Sequence, residues 1–140
     1  MKVLIDTNVI LDVLNGRKPH YETSAAFLKL CGSQSQLTGM IAASQTTDIY
    51  YLLRREGKGF AEAKSVIQKL IGNIKVMDVT AADVKNALES EMSDYEDALL
   101  AFGGKRKKVN YIVTRNENDF VKSPVPVLSP QAFIEQFSLE

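Results

Sequence analysis

Apolar positions recur along the chain in two rhythms. Val3-Leu4-Ile5 is an unbroken apolar run, as expected of a strand buried on both faces, and it stops at Asp6. Val9, Ile10, Val13 and Leu14 then recur at helical spacing until Asn15-Gly16. Arg17-Lys18-Pro19 reads as a loop. Tyr21, Ala25, Leu28 and Cys31 form a second helical stripe, ended by Gly32. Residues 36–42 predict a second strand. Ser44 is placed to cap a helix with Asp48 in its first turn or just beyond, apolar residues at 49, 50, 52 and 53, and Arg54-Arg55 in its last turn. Phe60, Ala63, Ile67, Leu70 and Ile71 mark another helix, closed by Gly72. Ile74, Val76 and Val79 outline a third strand. Thr80 and Asp83 form a box-like cap on a helix carrying Val84, Ala87 and Leu88. Ser93-Asp94-Tyr95-Glu96 matches the S-x-x-E capping box. The helix it opens ends at Gly103-Gly104, which suit a C-cap, before a basic turn at 105–108. Tyr111-Ile112-Val113 predicts a fourth strand. Residues 124–128 predict a short edge strand, where prolines are tolerated, and Ser129-Pro130 start a last helix with Phe133 and Phe137.

Strands alternating with helices argue for a mostly parallel sheet covered on both faces. The expectation is a three-layer α/β/α sandwich with four to five strands, in a single domain spanning 1–140. Composition agrees: 45% apolar residues are enough for a sizeable core. Seventeen basic and 17 acidic residues balance, so any nucleic-acid contact must come from local patches. Cys31 stands alone, excluding an intramolecular disulfide and fitting a reducing cytoplasm. No apolar run reaches transmembrane length and no secretory signal is expected.

The chemistry lies at the junctions. Asp6 ends the first strand, where open α/β sheets form their ligand sites. Asp48 lies near the start of the helix after the second strand. Asp94 and Asp97 open the helix before the fourth strand, and Asn116 and Asp119 follow that strand. Parallel strands would bring all of them to one end of the sheet. Carboxylates gathered there repel, and a hard divalent cation relieves that repulsion through oxygen ligands. Such an ion lowers the pKa of bound water and stabilises charge on a phosphoryl group, which suggests metal-assisted phosphodiester hydrolysis. Each acid also has a plain structural role available. Asp6 and Asp119 can cap, Asp48, Asp94 and Asp97 can complement a helix dipole, Glu96 completes the capping box, and Asp12 reads as surface charge. No nucleotide-cradling glycine motif is present. The single His20 leaves no basis for a histidine zinc site or a Ser-His-Asp triad.

Four stretches resemble the motifs of PIN-domain proteins: VLIDTNVILD at 3–12, TDIYYL at 47–52, DYEDAL at 94–99 and IVTRNENDF at 112–120. Within that family the chain looks like the VapC-like toxins of bacterial type II toxin–antitoxin pairs. The resemblance implies a PIN-like α/β/α domain and a magnesium- or manganese-dependent ribonuclease. Carried over by position, Asp6 is the first acid and a direct metal ligand. Asp48 takes the second position, where many relatives carry the longer Glu, and Asp97 the third, with Asp94 beside it as a further candidate ligand. The fourth position falls to Asn116 or Asp119. Thr114 and Asn8 orient ligands or the scissile phosphate by hydrogen bonds. Such toxins pair with an antitoxin and commonly form homodimers, with exposed apolar residues of the early helices as the place for both contacts. Arg54-Arg55 and 105–108 are candidate RNA phosphate contacts.

The leading expectation is therefore a metal-dependent endoribonuclease, the toxin of such a pair. Its alternative is a catalytically weak PIN-like module that binds RNA or a protein partner, motivated by the neutral Asn116 and the short Asp48. A phosphoacceptor or phosphatase domain fits less well, because Asp6-Thr7-Asn8 lacks the second Asp of a D-x-D pair.

Overall fold

The computed structural model describes residues 1–137. Five parallel strands, β1 (Lys2–Ile5), β2 (Thr38–Ala42), β3 (Lys75–Met77), β4 (Tyr111–Val113) and β5 (Val127–Leu128), form one sheet in the order β3-β2-β1-β4-β5. Helices α1 (Thr7–Leu14) and α2 (Tyr21–Ser33) connect β1 to β2. Helices α3 (Ala43–Arg55) and α4 (Phe60–Ile71) connect β2 to β3, and α5 (Ala81–Glu89) and α6 (Tyr95–Arg106) connect β3 to β4. A 3-10 turn (Glu117–Phe120) precedes β5, and α7 (Pro130–Phe137) follows it. Strand β1 is central, with Leu4 paired to Met40 on one side and Ile112 on the other. The chain leaves β1 toward β2 and returns beside it as β4. The order therefore reverses at β1, and the carboxyl ends of β1 and β4 flank a crevice of the kind that holds ligands in such sheets.

Side-chain alternation along β1 builds the two cores. Val3 and Ile5 point into a cluster with Val9, Ile10, Phe27, Ile49, Leu53 and Phe133, drawn from α1, α2, α3 and α7. Phe27 meets Phe133 edge to face at 5.2 Å. Leu4 points the other way, onto Met40, Met77, Leu100, Ala101 and Ile112, under α6, with α5 packed against α6. Val3, Leu4 and Ile5 are all fully buried, as their unbroken apolar run requires.

Three expectations change here. Gly103 and Gly104 do not end a helix: α6 continues to Arg106 and both are buried within it. A Cβ on Gly103 would lie 2.8 Å from Met77 Cε, and one on Gly104 would lie 3.1 Å from Leu4 Cδ2. The pair lets α6 approach the sheet, and that packing offsets the roughly 1 kcal/mol per residue that Gly costs a helix. Helix α3 begins one residue before Ser44, and its start is held by Gln45, whose Oε1 accepts the Ala42 N–H at 2.6 Å. Leu88, expected on a buried stripe, is 68% exposed.

Candidate active site

Asp6 follows β1 and caps α1. Its Oδ1 accepts the Thr7 N–H at 2.8 Å. Its Oδ2 accepts the Thr114 hydroxyl at 2.7 Å and the Asn8 Nδ2–H at 3.2 Å. Thr114 sits just past β4 and is fully buried. Its hydroxyl has one proton, given to Asp6, and its oxygen accepts the Asn116 N–H at 3.0 Å. The two neighbouring strand ends are thus locked together through one carboxylate. An ionised carboxylate has about four lone-pair sites; the donors named fill three, leaving capacity on Oδ1. Gln45 adds a third strand end. Its Nε2 donates to the Ile5 carbonyl at 2.8 Å and to Thr7 Oγ1 at 3.1 Å, while its Oε1 holds the end of β2. Spacing alone gave no signal for Gln45.

Helices α3 and α6 wall a cleft of about 500 Å³ beside Asp6. Asp48, Tyr51, Leu52 and Arg55 line it from α3, and Glu96, Asp97, Leu99 and Leu100 from α6. Four carboxyl groups therefore share one cleft: Asp6, Asp48, Glu96 and Asp97. Burial pushes the Asp6 carboxyl above its ordinary range against its hydrogen bonds to Thr114 and Thr7, with the Asp119 charge adding to the rise. Asp97 is pushed up to about 7, first by burial and then by the charges of Asp6, Asp94, Asp119 and Glu96. Glu96 is raised chiefly by the charge of Asp48.

The other predicted residues fall around this cleft in distinct roles. Asp94, not Ser93, is the N-cap of α6, its Oδ1 accepting the Asp97 N–H at 3.0 Å. That breaks the expected capping box and leaves Glu96 lining the cleft. Asn116 and Asp119 line an adjacent depression on the 3-10 turn; of the two, Asp119 brings negative charge to bear on Asp6 and Asp97. Asn8 spans the junction, donating to Asp6 and accepting the Arg115 N–H at 3.4 Å. Asp12 is not surface charge. It is fully buried, paired with Arg115 through Nε at 2.6 Å and Nη2 at 3.1 Å, and accepts the Ser24 hydroxyl at 3.1 Å. Its position on the inward face of α1, between Val9 and Val13, carried that signal. The basic turn is partly committed elsewhere: Arg106 pairs with Asp78 and Asp83, and Lys107 with Asp78.

The donor set suits a hard divalent cation: oxygen atoms only, crowded like charges, and an open lone pair on Asp6. Among the described residues, no three carboxylates, thiols or imidazoles gather round a single point. A cation here would take its protein ligands from one or two acids, Asp6 and Asp97 first, and complete its shell with water, as magnesium usually does.

Comparison with known proteins identifies the family. The family model described as "PIN domain" matches residues 2–118. Ribonuclease VapC1 of Aquifex aeolicus is 23% identical, over 98% of this chain and 96% of its own length. Among solved structures, VapBC2 from Rickettsia felis, bound to a promoter DNA fragment, covers 92% of this chain and 98% of its own at a TM-score of 0.69 and 16% identity. VapC20 from Mycobacterium tuberculosis, a toxin that cleaves the sarcin–ricin loop, covers 79% of this chain and 86% of its own at a TM-score of 0.61 and 17% identity. With the fold, the acid-lined crevice and a family match over most of its length, this chain belongs to the PIN-domain family.

Proposed function

We propose that the chain is a metal-dependent endoribonuclease and the toxin of a type II toxin–antitoxin pair. The observation that carries this reading is the convergence of Asp6, Asp48, Glu96 and Asp97 on one cleft beside the carboxyl end of β1. Asp6 and Asp97 would hold magnesium or manganese, with Asp48 and Glu96 beside them and Asp94 and Asp119 contributing charge from outside. When bound, such a cation supplies a water nucleophile at neutral pH and neutralises charge building on the phosphoryl group. The chain's own residues do the positioning. Thr114 and Asn8 fix Asp6 Oδ2, and Gln45 fixes the strand ends that carry it. Asp97, whose carboxyl is pushed up to about 7, would hold such a cation as the ionised carboxylate. The similarity to a VapC ribonuclease and to a toxin–antitoxin complex from Klebsiella pneumoniae supports an RNA substrate and a cognate antitoxin. A homodimer and a cytoplasmic site of action belong to the same reading; none of the described helices is long and apolar enough to cross a membrane. The test is cleavage of structured RNAs by the purified protein in magnesium or manganese. Cuts abolished by EDTA and by Asp97→Asn are expected; cuts that survive both would remove the cleft from the chemistry.

A further inference from the structure

Asp48, Tyr51 and Arg55 lie on one face of α3, at spacings of three and four residues. At 1.5 Å per residue, Arg55 stands roughly 10 Å along the helix from Asp48, with Tyr51 between them. The cleft they line therefore changes character along its length. One end holds the four acids. The middle is apolar and aromatic, with Tyr51 and Leu52 on α3 and Leu99 and Leu100 on α6. The far end carries Arg55. Tyr51 is 67% exposed, a large aromatic surface left open to solvent. The two adjacent arginines divide sharply. Arg54 is anchored, its guanidinium 3.9 Å from the centre of the Phe60 ring and its Nη1 donating to the Lys58 carbonyl at 3.1 Å. Arg55 is exposed, lines the cleft and enters none of the ion pairs among the described residues.

We propose that Tyr51 and Arg55 form a subsite for single-stranded RNA, the Tyr51 ring stacking on a base that flanks the scissile phosphate and the Arg55 guanidinium pairing with a neighbouring phosphate. The inference rests on the nuclease reading above. A flat apolar face next to a cation matches the alternation of base and phosphate along a nucleotide strand, and stacking on a side chain needs a base that is free of its duplex. A polypeptide seated here would have to meet the acid end with cations and Arg55 with an anion. An RNA strand with its divalent cation meets both ends.

The subsite is tested by fluorescence anisotropy with a labelled single-stranded oligoribonucleotide in magnesium, on the Asp97→Asn background so that the strand stays whole. Tyr51→Ala is expected to weaken binding about tenfold, and Tyr51→Phe to restore it. Arg55→Gln is expected to lower the slope of log affinity against log salt by about 0.7, the release from one phosphate of a single strand, and Arg55→Lys to keep the slope. Both side chains are exposed, so each variant should stay folded, which circular dichroism checks. In the otherwise wild-type protein the same substitutions should raise KM for RNA with kcat changed by less than about twofold. Wild-type affinity in both Tyr51→Ala and Arg55→Gln, or Tyr51→Phe as weak as Tyr51→Ala, overturns the subsite. In the first case the exposed ring belongs instead to a protein partner, on the groove between α3 and α4 that it also borders. The two readings fail separately. RNA cleavage with KM unmoved by either variant removes the subsite and keeps the nuclease. Tyr51-dependent RNA binding without any wild-type cleavage keeps the subsite and removes the nuclease.

Discussion

Replacing Asp97 by Asn should stabilise the metal-free protein while abolishing its cleavage of RNA. In the unfolded chain this carboxyl ionises near its ordinary value of 3.8; in the folded protein it holds its proton to about 7. Between those values the folded state binds more protons, so stability falls as pH rises through the window and the full loss is reached above about pH 7. At 1.36 kcal/mol per pH unit the separation corresponds to about 4 kcal/mol. Asp97 is only half-buried, and solvent screening reduces this to roughly 1–2 kcal/mol. Asn has the same shape and no charge. Urea unfolding in EDTA should therefore show the variant about 1–2 kcal/mol more stable than wild type at about pH 8, with the gap closing at about pH 4. A gap of the same size at both pH values, or a variant less stable at the higher pH, would refute the claim that carboxylate crowding strains the metal-free cleft.

Other substitutions probe the scaffold around the acids. Arg115→Ala leaves the Asp12 carboxylate buried without its guanidinium and should cost about 3–5 kcal/mol in urea unfolding; Asp12 is fully enclosed in the fold. Thr114→Val removes the hydroxyl that donates to Asp6 Oδ2 at 2.7 Å, and manganese affinity measured calorimetrically should fall by about 10–100-fold, the usual effect of losing a partner that orients a ligand. Gly104→Ala puts a methyl group 3.0 Å from Val109 Cγ2 and 3.1 Å from Leu4 Cδ2. Thermal unfolding should report a loss of about 1–3 kcal/mol from overpacking.

The sheet was readable because Val3-Leu4-Ile5, an unbroken apolar run cut off by Asp6, is what a strand buried on both faces requires. The alternation of strand and helix then supplied parallel pairing, and parallel pairing supplied convergence of the acids. What was not readable depends on contacts between distant segments. Gly103 and Gly104 look like a helix stop until Met77 and Leu4 are seen pressed against them. The place of Asp12 between Val9 and Val13 marks it as inward-facing, but its partner Arg115, from the loop after β4, reaches it only in the fold. The expected capping box fails for a local reason. Ser93 and Asp94 are both good N-caps, and with Asp94 taking the role, Glu96 is left lining the cleft. The face of α3 shared by Asp48, Tyr51 and Arg55 was present in the helical spacing, but only the opposing wall of α6 turns it into the side of a cleft.

Whether these acids form a site for a hard divalent cation is decided by titrating manganese into the protein labelled for NMR. Paramagnetic broadening should be saturable and centred on the amides of Asp6, Thr7, Asp48, Glu96 and Asp97, sparing α5 and β3, and Asp6→Asn should weaken it. No saturable binding at millimolar manganese, or broadening centred elsewhere on the protein, would contradict such a site.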